Sequence, residues 1–515
     1  MKNRLLNFKL AAFAAVALLI ASCGGDEPID PVNPDTKSDK AELRELSFTP
    51  AANPGLDQMV IAYVHDNVLT FSIPEAVSPA TLVPTIDASP KAKIYVNSAE
   101  YKSGDSYDFT NATTIKIVSE SGKVTKTFSA QWETGDNFMD SYIWKLMDEC
   151  RIPGVSLSVM KGSEVVYSKG YGWAAEGVLK TTPDCLFRMA SISKQFCAMS
   201  IMRLKEQGKL KLDDKVFGDK CILKGKFHTS PYHETITVRH LLSHSSGICA
   251  GLDDPAFESK YRFFNNDPKN PVPTDTLIQR TMNDRWTAHV SGSTSYAAGQ
   301  RYNYSNVGYC ILHRVVEVLS GKTYENFLRE EVLAPMGVTD TWIGGYENER
   351  RKNECVVYSQ GGGNGYNNPL RNIAGAAGII TSTNQMMNIL THIDGDSDVP
   401  DVFTEETLKD MYTPYQYQGE SRNTYGLGWR MNNSKRFFDS HFHGGNMAGT
   451  ATMWVGGATG DSKGSYDKKM SAAIVCNSRS YDDAIGWDTS WGYSTPNDID
   501  DSFYIILGEA MRHFK

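Results

Sequence analysis

The stretch Phe187 to Phe196, FRMASISKQF, sets a serine three residues ahead of a lysine, Ser191 and Lys194. On a helix residues three apart share a face, so the amine can reach the hydroxyl. A serine hydroxyl is a weak nucleophile at neutral pH. It becomes useful when a base takes its proton, backbone donors hold the oxyanion and an acid protonates the leaving group. The chemistry such a pair could perform is attack on an ester or amide carbonyl. Ser158 with Lys161 and Ser465 with Lys468 show the same spacing, so the pattern alone does not choose. Ser158 falls in GVSLSVMKG, which alternates as a strand does and sends residues three apart to opposite faces. Two other segments offer polar partners for Ser191: Tyr304-Ser305-Asn306 ahead of a helical pattern, and His443-Gly444-Gly445 ahead of a strand pattern.

The elements that must position these groups follow from periodicity. FMDSYIWKLMDEC from Phe138 reads as a helix. GVSLSVMKG and SEVVYSKGYGWA read as two strands joined by a tight turn at Lys161-Gly162. SISKQFCAMSIMRLKEQGKL is a helix that Gly208 closes. From about residue 212 to 389 the text is mainly helix and loop. Strand patterns return at YGLGWRM (425 to 431), TATMWVG and MSAAIVCNS, and DDSFYIILGEAMRHF is a closing helix. Strands at both ends with helices between predict an α/β domain over 138–515, an antiparallel sheet flanked by helices plus an inserted all-α subdomain at about 212–389.

The 515 residues exceed what one core organises, so more than one domain is expected. Residues 1–23 read as a lipoprotein signal peptide. Lys2, Arg4 and Lys9 precede the apolar run LAAFAAVALLIA, which is too short to span a bilayer, and IASC resembles a lipobox with Cys23 as the lipidation site. A multiply acylated Cys23 would anchor the protein to a membrane without embedding it. Residues 24–41, rich in Pro and Asp, are expected to be a disordered linker. Residues 42–133 alternate as short strands, with a hairpin turn at Ser121-Gly122, and resemble the immunoglobulin-like β-sandwich modules of Bacteroidota lipoproteins. Asp26-Glu27 after the lipobox is similar to export signals of those lipoproteins, which implies the outer membrane, facing the periplasm or the cell surface. A formal net charge of −8 with interspersed signs gives no footprint for nucleic acid. Eight cysteines besides Cys23 allow 105 pairings, and none is assigned.

Taken in order, Ser191-x-x-Lys194, Tyr304-x-Asn306 and His443-Gly444-Gly445 resemble the motifs of the serine β-lactamase-like hydrolases: class C β-lactamases, penicillin-binding D-alanyl-D-alanine peptidases, D-aminopeptidases and related esterases. The framing text IPGVSLSVMKGSEVVYSKGYG, ITVRHLLSHSSGI, AGAAGIITSTNQMMNIL and YGLGW extends the resemblance over Phe138 to Lys515. It implies that Ser191 is the nucleophile, with Lys194 and Tyr304 as its catalytic partners. It also implies that Asn306, His443, Gly444 and Gly445 bind substrate, and that the backbone N–H groups of Ser191 and Asn446 hold the oxyanion. Beside Lys194, an ammonium, Tyr304 is expected to shift toward phenolate. No metal or organic cofactor is implied. The substrate would be a small ester or peptide, with peptidoglycan-derived fragments among the candidates. β-Lactamase or D-alanyl-D-alanine carboxypeptidase activity is the alternative, and a non-catalytic surface-binding lipoprotein is the reading from another class.

Two departures bear on this. Relatives with Lys-Thr-Gly carry a fixed cation where this chain has His443, mostly neutral at pH 7, which favours esterase or D-aminopeptidase chemistry over β-lactam hydrolysis. Ala298-Gly299 replaces the family's Pro-Gly, a change remote from the chemistry. His240 with His244 could in principle bind metal, but a zincin would need Glu at 241, where the chain has Leu, and His441 with His443 has no third ligand at fitting spacing. Gly361 to Gly365 lacks the ending of a phosphate loop and is read as a pocket rim. Cys197 is read as core, and the aromatic stretch from Tyr261 to Tyr296 as a lining of the site or as ordinary packing.

Overall fold

The computed structural model describes residues 37–56, 59–65, 67–248, 254–285, 297–359, 365–418, 424–432, 439–479 and 499–515. The signal segment, Cys23, most of the linker, Cys249, the 361–364 part of the glycine loop and residues 286–296 lie outside that set.

The N-terminal segment is built of strands in two sheets, with one short 3-10 turn at Pro79–Thr81. Leu43–Phe48 is flanked by Val60–Ile61 and Thr85–Ala88; a six-stranded sheet runs Tyr63–His65, Val68–Ile73, Thr125–Thr134, Thr113–Val118, Lys93–Val96 and Ala99–Glu100. Their apolar faces meet in one core around Leu46, Phe48, Phe71, Phe109 and Ile115. The expected hairpin is present: Gly122 takes the left-handed conformation (φ 76°) and its N–H donates to Ser119 O between two antiparallel strands. Lys169, on the second long strand of the next unit, closes the junction between the two. Its ammonium meets Glu133 at 2.8 Å and Asp140 at 3.1 Å and donates to the Ser72 hydroxyl.

The larger unit is built on a seven-stranded antiparallel sheet, ordered Leu179–Lys180, Glu164–Ala175, Gly154–Lys161, Gly464–Cys476, Thr450–Asp461, Ser440–Met447 and Arg430–Asn432. Alternation along Gly154–Lys161 decides its two faces. Val155, Leu157 and Val159 pack with Phe503, Ile506 and Leu507 of the last helix, Ile499–Phe514, and with Ile143 and Leu146 of Asp140–Cys150. The opposite face carries Met160, Ala473, Val475 and Trp454 against Phe196 of the helix Ser193–Glu206. Each of these large side chains, taken fully from water, stabilises the fold by about 1.5–3 kcal/mol. The decoy Ser158 is buried on this second face, bonded to Ser168 and Thr383.

Three local expectations are corrected. Ser191 does not sit in the α-helix; it lies in a 3-10 turn, Ala190–Ile192, that runs into it. YGLGWRM is not one strand. Gly428 at φ 90° bends it back on itself, so Arg430–Asn432 alone forms a strand, Tyr425 makes a single antiparallel bridge to Arg430, and Tyr425 and Trp429 are buried. Within the region read as helix and loop, Ile379–Thr381 forms a strand that joins Phe187–Arg188 to Trp342–Ile343. That small sheet anchors the chain just before Ser191. Among the described residues no helix is long and apolar enough to cross a membrane.

Candidate active site

Ser191 follows a residue in an unusual conformation. Ala190 is buried with φ 45°, a region that costs a non-glycine residue about 1 kcal/mol or more and persists only where the surroundings over-determine it. Those surroundings are visible. Thr450 Oγ1 donates to Arg188 O at 2.8 Å, Thr452 Oγ1 lies 3.1 Å from Met189 O, and Met189 N–H donates to Ile379 O at 2.9 Å. Beyond the nucleophile, the Ser193 hydroxyl accepts from Ile379 N–H at 2.9 Å. The turn is thus pinned from two sheets before the helix begins.

Lys194 is completely buried, with three oxygens around its nitrogen: Asn306 Oδ1 at 2.6 Å, Ala376 O at 2.9 Å and Ser191 Oγ at 3.2 Å. Burial brings its pKa down to about 7, with Asp254 opposing the shift. An uncharged amine has two N–H groups and one lone pair. Asn306 and Ala376 accept from the first two, which leaves the lone pair for the Ser191 hydroxyl. The close approach of Ala376 depends on Gly375, where an added Cβ would lie 2.5 Å from Tyr309 O and 3.1 Å from Cys197 Sγ. The AGAAG text is thereby given a physical reason.

Asn306 opens the helix Asn306–Ser320, capped by Ser305, whose hydroxyl accepts from Gly308 N–H. Its amide cannot flip freely. Asp254 accepts from Asn306 N–H at 2.7 Å and from Nδ2 at 3.1 Å, so Oδ1 is left facing Lys194. The Tyr304 ring lies 4.7 Å from the Lys194 nitrogen, beside Ser191. The phenolate expectation is overturned: burial, the largest influence, raises the Tyr304 pKa well above 10, and the Ser191 hydrogen bond only partly opposes this. At neutral pH Tyr304 is a phenol and Lys194 is the group poised to titrate.

His443 and His244 belong to one chain of hydrogen bonds through Tyr425. Ser305 N–H donates to His244 Nδ1 at 3.1 Å, so His244 Nε2 carries the proton that Tyr425 Oη accepts at 3.2 Å. Tyr425 then donates to His443 Nε2 at 3.0 Å, and His443 Nδ1–H faces Gly444 O at 2.5 Å. Burial and the nearby Arg430 and Lys194 hold both imidazoles well below their usual range, so each is neutral. His244 needs its left-handed backbone (φ 56°) to reach this position. Neither histidine pair is metal-like: His240 caps the helix Val238–Leu242, His441 stacks on Tyr412, and no cluster of three ligating residues occurs among the described residues.

Gly445 faces the nucleophile. A Cβ there would stand 2.4 Å from Met189 O and 3.1 Å from the Ser191 nitrogen, so only glycine lets this strand lie against the Ser191 amide. Gly444 is unconstrained, with its nearest neighbour at 3.7 Å, and Asn446 continues the strand. At the mouth, Arg430 is exposed, its guanidinium 5.8 Å from the Tyr304 ring centre. No carboxylate pairs with it among the described residues. Cys197 is core, as expected, and Cys23 lies outside the described set.

The structure therefore assembles Ser191, Lys194, Tyr304, Asn306, His443 and Gly445 around one point, while Gly444 makes no close approach to it. Sequence reasoning passed over Asp254, Tyr425 and Arg430. Asp254 stands in a loop with no periodic signal, while Tyr425 and Arg430 were hidden in a stretch read as framework strand.

Residues 139–490 match the family model described as Beta-lactamase. Protein flp of Staphylococcus aureus strain MRSA252 is 24% identical over 316 residues, covering 60% of this chain and 58% of that protein. Penicillin-binding protein 4* of Bacillus subtilis strain 168 is 25% identical over 317 residues, 57% of this chain and 63% of that one. The chain thus spans less than two thirds of the length of these relatives. The octameric penicillin-binding protein homologue from Pyrococcus abyssi aligns with a TM-score of 0.54 at 25% identity, covering 73% of this chain and 77% of that chain. The D-amino acid amidase from Ochrobactrum anthropi SV3, complexed with L-phenylalanine amide, aligns at 0.53 and 20% identity, over 73% of this chain and 99% of that one, a likeness of fold. With the matched span covering well over half of its length, the chain belongs to the beta-lactamase family of serine hydrolases.

Proposed function

We propose that the protein cleaves an ester or amide bond through an acyl-enzyme on Ser191, in substrates such as esters or peptides with a D-residue that carry a carboxylate near the scissile carbonyl. The observation that carries the reading is the buried amine with two of its three positions committed to Asn306 and Ala376 and the third aimed at Ser191. Lys194 takes the hydroxyl proton as Oγ attacks the carbonyl. The oxyanion forms against the N–H groups of Ser191 and Asn446, supported by the start of a helix. Tyr304, a neutral phenol, passes a proton to the leaving group and regains one from Lys194. Water then attacks the acyl ester by the reverse route.

Arg430 supports the carboxylate. His443 is neutral and turned toward Tyr425, so it supplies no charge to the mouth, whereas a guanidinium is permanently charged and recognises carboxylates bidentately. Arg430→Gln should raise KM about tenfold or more for a substrate with that carboxylate. It should change KM little for its methyl ester. Equal effects on both would remove Arg430 from recognition.

The reading as a whole is tested by intact-mass analysis of the purified protein after a fluorophosphonate probe, followed by rates on short-chain esters, D-alanyl peptides and a chromogenic β-lactam. A single adduct mapping to Ser191 is expected. A protein that stays unlabelled sinks the hydrolase reading.

A further inference from the structure

Asp254 stands behind the amide that holds the Lys194 amine. Its Oδ2 accepts from the Asn306 backbone N–H at 2.7 Å and from Nδ2 at 3.1 Å, and its Oδ1 accepts from Ala256 N–H at 2.9 Å. Three N–H donors on two oxygens favour the ionised carboxylate. On the other side of the same amide, Asn306 Oδ1 accepts from Lys194 Nζ at 2.6 Å. The planar amide thus joins an anion to an amine, its N–H end on the one and its oxygen on the other. The remaining partners of the amine, Ala376 O and Ser191 Oγ, are uncharged, and among the described residues no carboxylate touches it.

We propose that Asp254 is a positioning residue for acylation, the counter-charge that acts through the Asn306 amide on the ammonium formed when Lys194 takes the Ser191 proton. The proposal rests on the reading of Lys194 as the base. In that step the Ser191 O–H bond breaks, the bond from Oγ to the carbonyl carbon forms, the carbonyl electron pair moves to the oxyanion, and the proton becomes a third N–H on Nζ. The new cation appears in a fully buried site, where an uncompensated charge is costly.

The other titratable groups around the amine do not compensate it. Burial holds Cys197, Cys310, Tyr304 and Tyr309 protonated, His244 and His443 are neutral, and Arg430 carries a charge of the same sign. Asp254 is the negative group among them; burial raises its own pKa, and its N–H donors and Lys194 oppose this. In direct contact, a carboxylate would hold the amine as a resting ammonium and remove the base. One amide away, Asp254 lowers the cost of the charge while the amine keeps a pKa of about 7.

The test compares the pH dependence of kcat/KM, and of fluorophosphonate acylation, in wild type, Asp254→Asn and Asp254→Glu. Loss of a neighbouring anion lowers an amine's pKa, so the acid limb of Asp254→Asn should move to lower pH by about one unit, and its plateau should fall about tenfold as the base weakens. A packing role would lower the plateau without moving the limb. Asp254→Glu keeps the charge, so its limb should stay at the wild-type position. An unmoved limb in Asp254→Asn would overturn the proposal. So would a limb in Asp254→Glu displaced toward acid by a unit, and that measurement decides by itself if the Asn variant does not fold. A wild type that takes no label at Ser191, or shows a flat profile, defeats the reading of Lys194 as base instead.

Discussion

Ser191→Ala and Lys194→Ala should each lower kcat/KM by about 10⁴-fold or more, and the double variant should be no slower than either alone. The two side chains act on one proton, so removing either disables the same step. Independent contributions would instead multiply. Initial rates on the best substrate from the panel, with intact mass after the fluorophosphonate probe, decide between these outcomes. A double variant as slow as the product of the singles would show that Lys194 does not act through Ser191. Lys194→Arg should be as inactive as Lys194→Ala, because a guanidinium stays protonated. The same argument fixes the sign of the wild-type pH profile. The protonated amine cannot accept the hydroxyl proton, so kcat/KM should rise about tenfold per pH unit below the Lys194 pKa of about 7 and level off above it. A profile flat from pH 5 to 9 would place the base elsewhere.

Gly445→Ala should reduce kcat by about 10² to 10³-fold with little change in KM, the size expected when one oxyanion donor is lost. The added methyl would meet Met189 O and Thr452 Oγ1 at 2.4 Å, and the strand can relieve this only by moving off the Ser191 amide. Gly444→Ala is the control: its Cβ meets nothing closer than 3.7 Å, so rate and thermal midpoint should hold. If both substitutions cost the same, the loss comes from the strand in general and not from the donor at Ser191.

These two glycines also show what could be read from the chain and what could not. The motif His443-Gly444-Gly445 was legible as a unit, but its members are unequal, and only the packing of Gly445 on Met189 reveals which one matters. Asp140–Cys150 and Gly154–Lys161 were legible because their apolar residues recur at the period of a helix and of a strand. The YGLGWRM stretch misled because its alternation is that of a strand while Gly428 bends the backbone. Tyr304 was misjudged through its neighbours. Lys194 suggested a phenolate, but the pocket that lowers the lysine's pKa raises the tyrosine's, since desolvation penalises whichever form is charged. Asp254 was beyond reach because its partner lies 52 positions away, joined only by tertiary contact.

The sequence of donors from Ser305 through His244, Tyr425 and His443 to Gly444 has a consequence for what can poison this enzyme. Both nitrogens of each imidazole are engaged and each proton is assigned, so a transition-metal ion would have to displace the donor on each lone-pair nitrogen, Ser305 N–H on His244 and the Tyr425 hydroxyl on His443, to find a ligand. A site holding two histidines and a nucleophile within one cavity would ordinarily invite zinc or copper. Here the imidazoles are committed to each other's neighbours, and the pocket is guarded against adventitious coordination by the same bonds that shape it.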